Sequence, residues 1–159
     1  MERTYRYIAR TEHDTDRLAR RIASDAAPGM VIALDGDLGA GKTRFSQAFA
    51  AAIGVRDQVN SPTFTIIKEY RGGELPLYHM DVYRLTLEEA EDLGLDEYFF
   101  GDGVTLVEWA DRIVPLLPEQ RLDIRLSALA DGTREIAVTP HGEIFAAKCE
   151  AWKGSGVLL

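Results

Sequence analysis

Residues Gly36-Asp-Leu-Gly-Ala-Gly-Lys-Thr43 meet the pattern G-x-x-x-x-G-K-[ST] at every required position, through Gly36, Gly41, Lys42 and Thr43. They follow Met30 to Leu34, a short apolar run of the kind that forms a strand buried on both faces of a parallel sheet. Beyond them Phe45, Ala48, Phe49, Ala52 and Ile53 mark one face of a helix that stops near Gly54. Strand, glycine loop and helix in that order narrow the fold to the α/β class. The glycines let backbone amides turn inward around phosphates, and the start of the helix adds partial positive charge. In such a loop the lysine neutralises the β- and γ-phosphates and the threonine hydroxyl ligates magnesium. A plain glycine turn with a solvated lysine would need neither the full string nor its flanking elements. The expected ligand is therefore a nucleoside triphosphate with Mg2+, and ATP in the absence of a guanine-reading N-K-x-D, contacted by Gly36, Asp37, Leu38, Gly39, Ala40, Gly41, Lys42, Thr43 and the following Arg44.

The remaining elements fit around this unit. Thr4 to Ala9 reads as a strand, and Leu18, Ile22 and Ala26, widened by Ala19 and Ala23, as a helix that Pro28-Gly29 stops. Thr11 and Asp14 have capping-box spacing at its start. After the turn Asn60-Ser-Pro-Thr63, Phe64 to Tyr70 and Leu75 to Val82 flank Arg71-Gly-Gly-Glu74 as an antiparallel hairpin. Thr86 to Leu93 reads as a helix capped by Thr86 and Glu89, and Val104 to Val107 as a second buried strand, before Pro115 and Pro118 interrupt the chain. Leu122, Ile124 and Leu126, then Ile136 and Val138, alternate with polar residues around Ala130-Asp-Gly-Thr133, as half-buried hairpin strands do. No repeat, low-complexity segment or linker interrupts the chain. Residues 1–159 are expected to form a single P-loop NTPase-like α/β domain, a mixed, largely parallel sheet flanked by helices with antiparallel hairpins.

Composition bounds the class. A chain of 159 residues with 46% hydrophobic and 28% charged residues has the balance of an ordinary globular domain. No apolar run approaches the ~20 residues of a membrane span, and Met-Glu-Arg-Thr-Tyr-Arg at the start lacks the apolar core of a signal peptide. The one cysteine, Cys149, is read as a small apolar filler; it forms no internal disulfide, which suits a reducing compartment. A cytoplasmic protein without membrane contact is expected. The net charge of -8 repels phosphate backbones, so unaided tight binding to DNA or RNA is not expected and any nucleic acid would belong to a partner.

A P-loop needs acidic groups near its metal and its attacking water. Asp81 closes Leu-Tyr-His-Met-Asp and Glu108 closes Val-Thr-Leu-Val-Glu, each at a strand's carboxyl end, where open α/β sheets collect ligands. Either acid could be the one that touches the metal, and a strand-end acid can also be merely solvated. Pro62 presets a turn from which Thr63 can reach a γ-phosphate or its magnesium, as switch loops do. Trp109 reads as a core ring or a partner contact. His13, His79 and His141 are too scattered for a metal cluster, so His79 reads as a satisfied strand residue and the others as surface groups.

Five motifs in order give the chain a resemblance that the loop alone could not. These are GDLGAGKT at Gly36 to Thr43, SPTF at Ser61 to Phe64, YHMDVYRL at Tyr78 to Leu85, LGLDEYF at Leu93 to Phe99 and VEW at Val107 to Trp109. Together they resemble the bacterial TsaE family, the ATPase component of tRNA threonylcarbamoyladenosine biosynthesis. The resemblance implies a P-loop ATPase that docks on a two-protein synthase of the TsaD and TsaB type and helps it, while the synthase modifies the adenosine beside the anticodon. It implies Lys42, Asp81 and Glu108 as catalytic residues, Thr43 and Glu108 as magnesium ligands, and Asp81 in a Walker-B-like place, orienting water or binding metal through water. It also suggests Glu12, Asp111 and Arg134 on the adenine side.

Two other functions are compatible with a P-loop. A small-molecule kinase usually brings arginines over the phosphates, and the one local cluster, Arg17, Arg20 and Arg21, has the spacing of a solvated helix face. A regulatory GTPase normally carries N-K-x-D after a strand, and this sequence contains no such tetrapeptide.

Overall fold

The structure, a computed structural model, describes residues 3–37, 39–62 and 65–158. Its sheet grows outward from β2 (Val31–Gly36), which is buried at every position. β5 (Val104–Glu108) and β6 (Arg121–Ala128) flank β2 in parallel, and β4 (Leu77–Asp81) pairs in parallel with β5. Antiparallel strands extend both edges: β3 (Ile67–Tyr70) on β4, β7 (Arg134–His141) on β6, and β1 (Tyr5–Ala9) on β7. The order β1-β7-β6-β2-β5-β4-β3 thus places four parallel strands at the centre and the expected hairpins at the flanks.

Helices cover both faces. On one, α1 (Glu12–Ala23), α2 (Lys42–Ala52) and α5 (Glu143–Gly154) bury Leu18, Ile22, Phe45, Phe49, Phe145 and Trp152 against Ile32, Leu34, Leu106 and Ile124. On the other, α3 (Leu87–Glu91), α4 (Asp96–Phe99) and the 3-10 segment Ala110–Leu116 pack Ala90, Phe99 and Ile113 on Val31, Ala33, Met80 and Val107. The capping boxes of Thr11 with Asp14 and Thr86 with Glu89 both form. In α2 the buried face is rotated from the expected one: Ala50 is buried and Ala52 exposed, because the stripe continues from Lys42 and Ser46. α5 was not expected from the sequence, although Phe145, Cys149 and Trp152 recur at helical spacing. Cys149 fills the core beneath it, and burial pushes its thiol up to about 12.

Register sets the site. Asp81 pairs with Glu108, and Glu108 with Leu34, so β4, β5 and β2 end together at the edge where the glycine loop begins. Gly36 is required there by contact as well as by its φ of 145°: a Cβ at this position would sit 2.4 Å from the Leu126 carbonyl oxygen on β6.

Candidate functional site

From β2 the loop turns through Gly39 and Gly41, both at positive φ, into α2, whose start carries no side-chain cap. The first amides of α2 are therefore left for another acceptor. Lys42 is the first helical residue and is buried. Its Nζ donates to the carbonyl oxygens of Gly36 and, at 3.4 Å, Asp37, and lies 4.0 Å from the centre of the Trp109 ring. Burial lowers the Lys42 pKa from the usual lysine range, and the charges of Glu108, Asp35 and Asp81 oppose that shift. An ammonium held this way satisfies itself on its own loop and faces the space in front of it.

That space is a cavity of about 450 Å³, bounded by Lys42, Thr43, Ser61, Asp81, Glu108 and Trp109. Asp81 and Glu108 are both buried at their strand ends. Asp81 Oδ1 accepts from the Tyr83 amide at 2.9 Å, and its Oδ2 accepts from the Ser61 hydroxyl at 3.2 Å. Glu108 Oε2 lies 2.6 Å from His79 Nε2. Trp109 forms a wall of the cavity and is not a core ring: it is held at a positive φ of 63°, with its ring 4.7 Å from that of Tyr83. Arg84, from the same motif as Asp81, also lines the cavity.

A second cavity, of about 340 Å³, opens on the other side of the loop. Glu12, Arg44 and Arg134 meet there. Arg134 reaches from β7 to donate to the carbonyl oxygens of Ala40, at 3.2 Å, and Gly39, at 3.3 Å. Arg44 forks onto Asp16 at 2.8 and 2.7 Å and approaches Glu12 at 3.2 Å, tying α2 to α1. Asp111 lines neither cavity. Its carboxylate pairs with Arg125 and its amide donates to Asp35 Oδ1 at 3.1 Å, because the chain turns at Trp109 and carries it over the end of β2. Arg17, Arg20 and Arg21 line a separate cleft of about 500 Å³ beside Ser155 to Val157. Leu38 and Thr63, both expected to contact the nucleotide, lie outside the described residues.

The profile of the family described as "Threonylcarbamoyl adenosine biosynthesis protein TsaE" matches residues 9–136. The chain belongs to the TsaE family. A TsaE protein of Bacillus subtilis is 55% identical over 137 residues, 86% of each chain; one of Treponema pallidum is 43% identical over 84% of this chain and 98% of its own. Both are described as tRNA threonylcarbamoyladenosine biosynthesis proteins. The crystal structure of YdiB from Bacillus subtilis superposes with a TM-score of 0.87 at 44% identity, covering 98% of both chains.

In this TsaE-family chain three side chains have contacts at the site that the sequence alone does not assign. His79 meets Glu108, Ser61 meets Asp81, and Asp35 is buried beneath the loop. Only the pairing of β4 with β5 reveals the first, since it places His79 one pleat before two acids that end level. Burial pushes the Asp35 carboxyl up to about 6, assisted by the charge of Asp111 and opposed by the Asp111 amide and Arg125. An acid raised in this way binds its proton more tightly folded than unfolded. Its stabilising contribution is complete below its unfolded value near ~3.9 and is lost as pH rises to about 6, a fall of about 2–3 kcal/mol. Asp35→Asn keeps the acceptor for the Asp111 amide and is expected to remove this slope. Denaturant unfolding at pH 4 and pH 6.5 checks it: the parent should lose more stability across that window than the variant.

Proposed function

We propose that this chain is a magnesium-dependent ATP-binding and hydrolysing subunit that serves tRNA threonylcarbamoylation by acting on a partner synthase, not as the transferase. The observation that carries the reading is the single cavity shared by Lys42, Thr43, Asp81 and Glu108, where three parallel strands end together. Family membership supplies the pathway.

The donor set fits magnesium. Among the described residues no cluster of three or more His, Cys, Asp or Glu groups stands ready to cage a cation. Mg2+ is commonly held by one or two carboxylates together with phosphate oxygens and water, which is what this cavity offers. Thr43 and Glu108 would hold the ion, and Asp81 would orient water or act through it. The strand order favours Glu108 for the direct role, since β5 adjoins β2 and β4 lies one strand further out. Its Oε1 also has no hydrogen-bond partner among the described residues, whereas both Asp81 oxygens brace the chain at Tyr83 and Ser61. Bound there, Mg2+ supplies neutralising charge to the phosphates. The loop amides and the start of α2 receive the phosphate oxygens, and Lys42 turns its ammonium to the β- and γ-phosphates. Glu12, Arg44 and Arg134 around the second cavity form the adenosine side. A kinase usually brings several arginines over the phosphates; the Arg17, Arg20 and Arg21 cluster faces a different cleft, and among the described arginines Arg84 alone lines the Lys42 cavity.

Partners of the TsaD and TsaB type would complete the catalytic shell, with tRNA reached only through them. A cytoplasmic setting follows from that role; no helix among the described residues is long and apolar enough to cross a membrane. The test is steady-state ATP turnover with and without the purified partner pair, at low and high salt. Trp152→Phe isolates Trp109 as the optical reporter, since these are the two tryptophans of the chain. The expected result is slow turnover alone and a change of up to about 10³-fold with partners. Docking should weaken at high salt, because a chain of charge -8 attracts basic surfaces. Fast turnover alone that no concentration of partners alters would overturn the reading.

A further inference from the structure

We infer that His79 is a positioning residue for magnesium, acting through Glu108 and touching neither ion nor nucleotide; the inference rests on the nucleotide reading above. His79 is fully buried on β4 and does not line the cavity that Glu108 and Asp81 share. Residues two apart on a strand share a face, so His79 lies directly before Asp81 on the α2 side of the sheet. From there its Nε2 meets Glu108 Oε2 at 2.6 Å, with both side chains out of water.

The direction of this bond follows from the chemistry of the pair. A carboxylate has only lone pairs to offer, so the hydrogen between the two sits on Nε2. The ring's other nitrogen, Nδ1, has no partner among the described residues and is buried. A hydrogen there would be an orphan donor, whereas a bare lone pair is the smaller loss. The tautomer with its hydrogen on Nε2 is the one that fits.

The consequence falls on Glu108. One of its oxygens is committed to His79, so the other, Oε1, is the one left to a ligand in the cavity. The bond restrains rotation of the carboxylate and favours Oε1 as the oxygen presented to the cavity. Outer groups that orient a metal-binding carboxylate in this manner typically change metal affinity or activity by about 10- to 100-fold when removed. An ordinary core histidine would have no such selective effect.

The test uses the full-length protein and reads binding, not only turnover. A fluorescent, slowly hydrolysed ATP analogue is titrated at a series of magnesium concentrations and again in excess chelator, for the parent, His79→Leu and His79→Gln. The expected result is that His79→Leu needs about 10- to 100-fold more magnesium to reach the same analogue affinity, with magnesium-free affinity unchanged. His79→Gln, which can return an N–H donor close to the Nε2 position, is expected to recover most of the loss. In a Glu108→Gln background His79→Leu should add nothing, because the two act as one unit. Equal losses with and without magnesium would make His79 a structural residue and overturn the inference. So would an unchanged magnesium requirement, or no recovery with His79→Gln when it is folded. If the parent itself shows no magnesium-dependent analogue binding, the nucleotide reading fails first and takes this inference with it.

Discussion

Lys42→Ala is expected to lower ATP turnover by about 10³-fold and analogue affinity by about 10- to 100-fold, in a protein that still folds. The first figure is the scale on which a single preorganised donor to developing charge is worth in a transition state. The second is the cost of losing a charge-assisted hydrogen bond to an anion. The effect should be this large because Lys42 is buried at the mouth of the loop, packed on Trp109 and held by the Gly36 and Asp37 carbonyls. Most of the stem is already packed, so little beyond the turn of the ammonium from the loop carbonyls has to be ordered when phosphates bind. Stability should fall modestly, since Glu108, Asp35 and Asp81 all lose a compensating cation. Circular dichroism checks the fold, analogue titration the binding and single-turnover phosphate release the chemistry. Parental turnover in folded Lys42→Ala would place the chemistry elsewhere.

The parts of this molecule that could be read in advance are those governed by local rules. The glycine string, the two capping boxes and the alternation of Leu122, Ile124 and Leu126 each depend on neighbours within a few residues, and each appears where expected. Strand order does not follow such rules. Nothing in the spacing of Leu77–Asp81 and Val104–Glu108 says that they lie side by side, and that pairing alone turns two strand-end acids into one acidic edge. His79 was legible as a satisfied strand residue, but its partner lies 29 positions away and becomes visible only with the register. The path of Asp111 was not legible either: its pairing with Arg125 depends on the left-handed turn at Trp109, a conformation unusual for a residue with a side chain. α5 is a different case: its period was present in Phe145, Cys149 and Trp152, and the anchoring bond from Trp152 to Asp25, at 2.7 Å, is what the sequence could not supply.

The acidic edge can be divided experimentally. Glu108→Gln and Asp81→Asn are both expected to reduce hydrolysis by about 10²-fold or more while leaving nucleotide binding measurable, since each isostere keeps shape and removes charge. They should differ in how binding responds to magnesium. In Glu108→Gln the amide oxygen can keep the hydrogen bond from His79, which turns the NH2 group toward the cavity and sets a donor where a cation would sit. Its analogue affinity should therefore become nearly independent of magnesium. In Asp81→Asn one side-chain oxygen remains to accept from the Tyr83 amide, and the NH2 group meets the Ser61 hydroxyl, which can turn to accept. The turn is kept, magnesium still strengthens binding, and the chemical step is lost because the water is no longer oriented by charge. Titrating the analogue with and without magnesium, followed by single-turnover hydrolysis, separates the two. If both variants hydrolyse ATP at the parental rate with magnesium present, the acids at the ends of β4 and β5 are bystanders and the catalytic assignment falls.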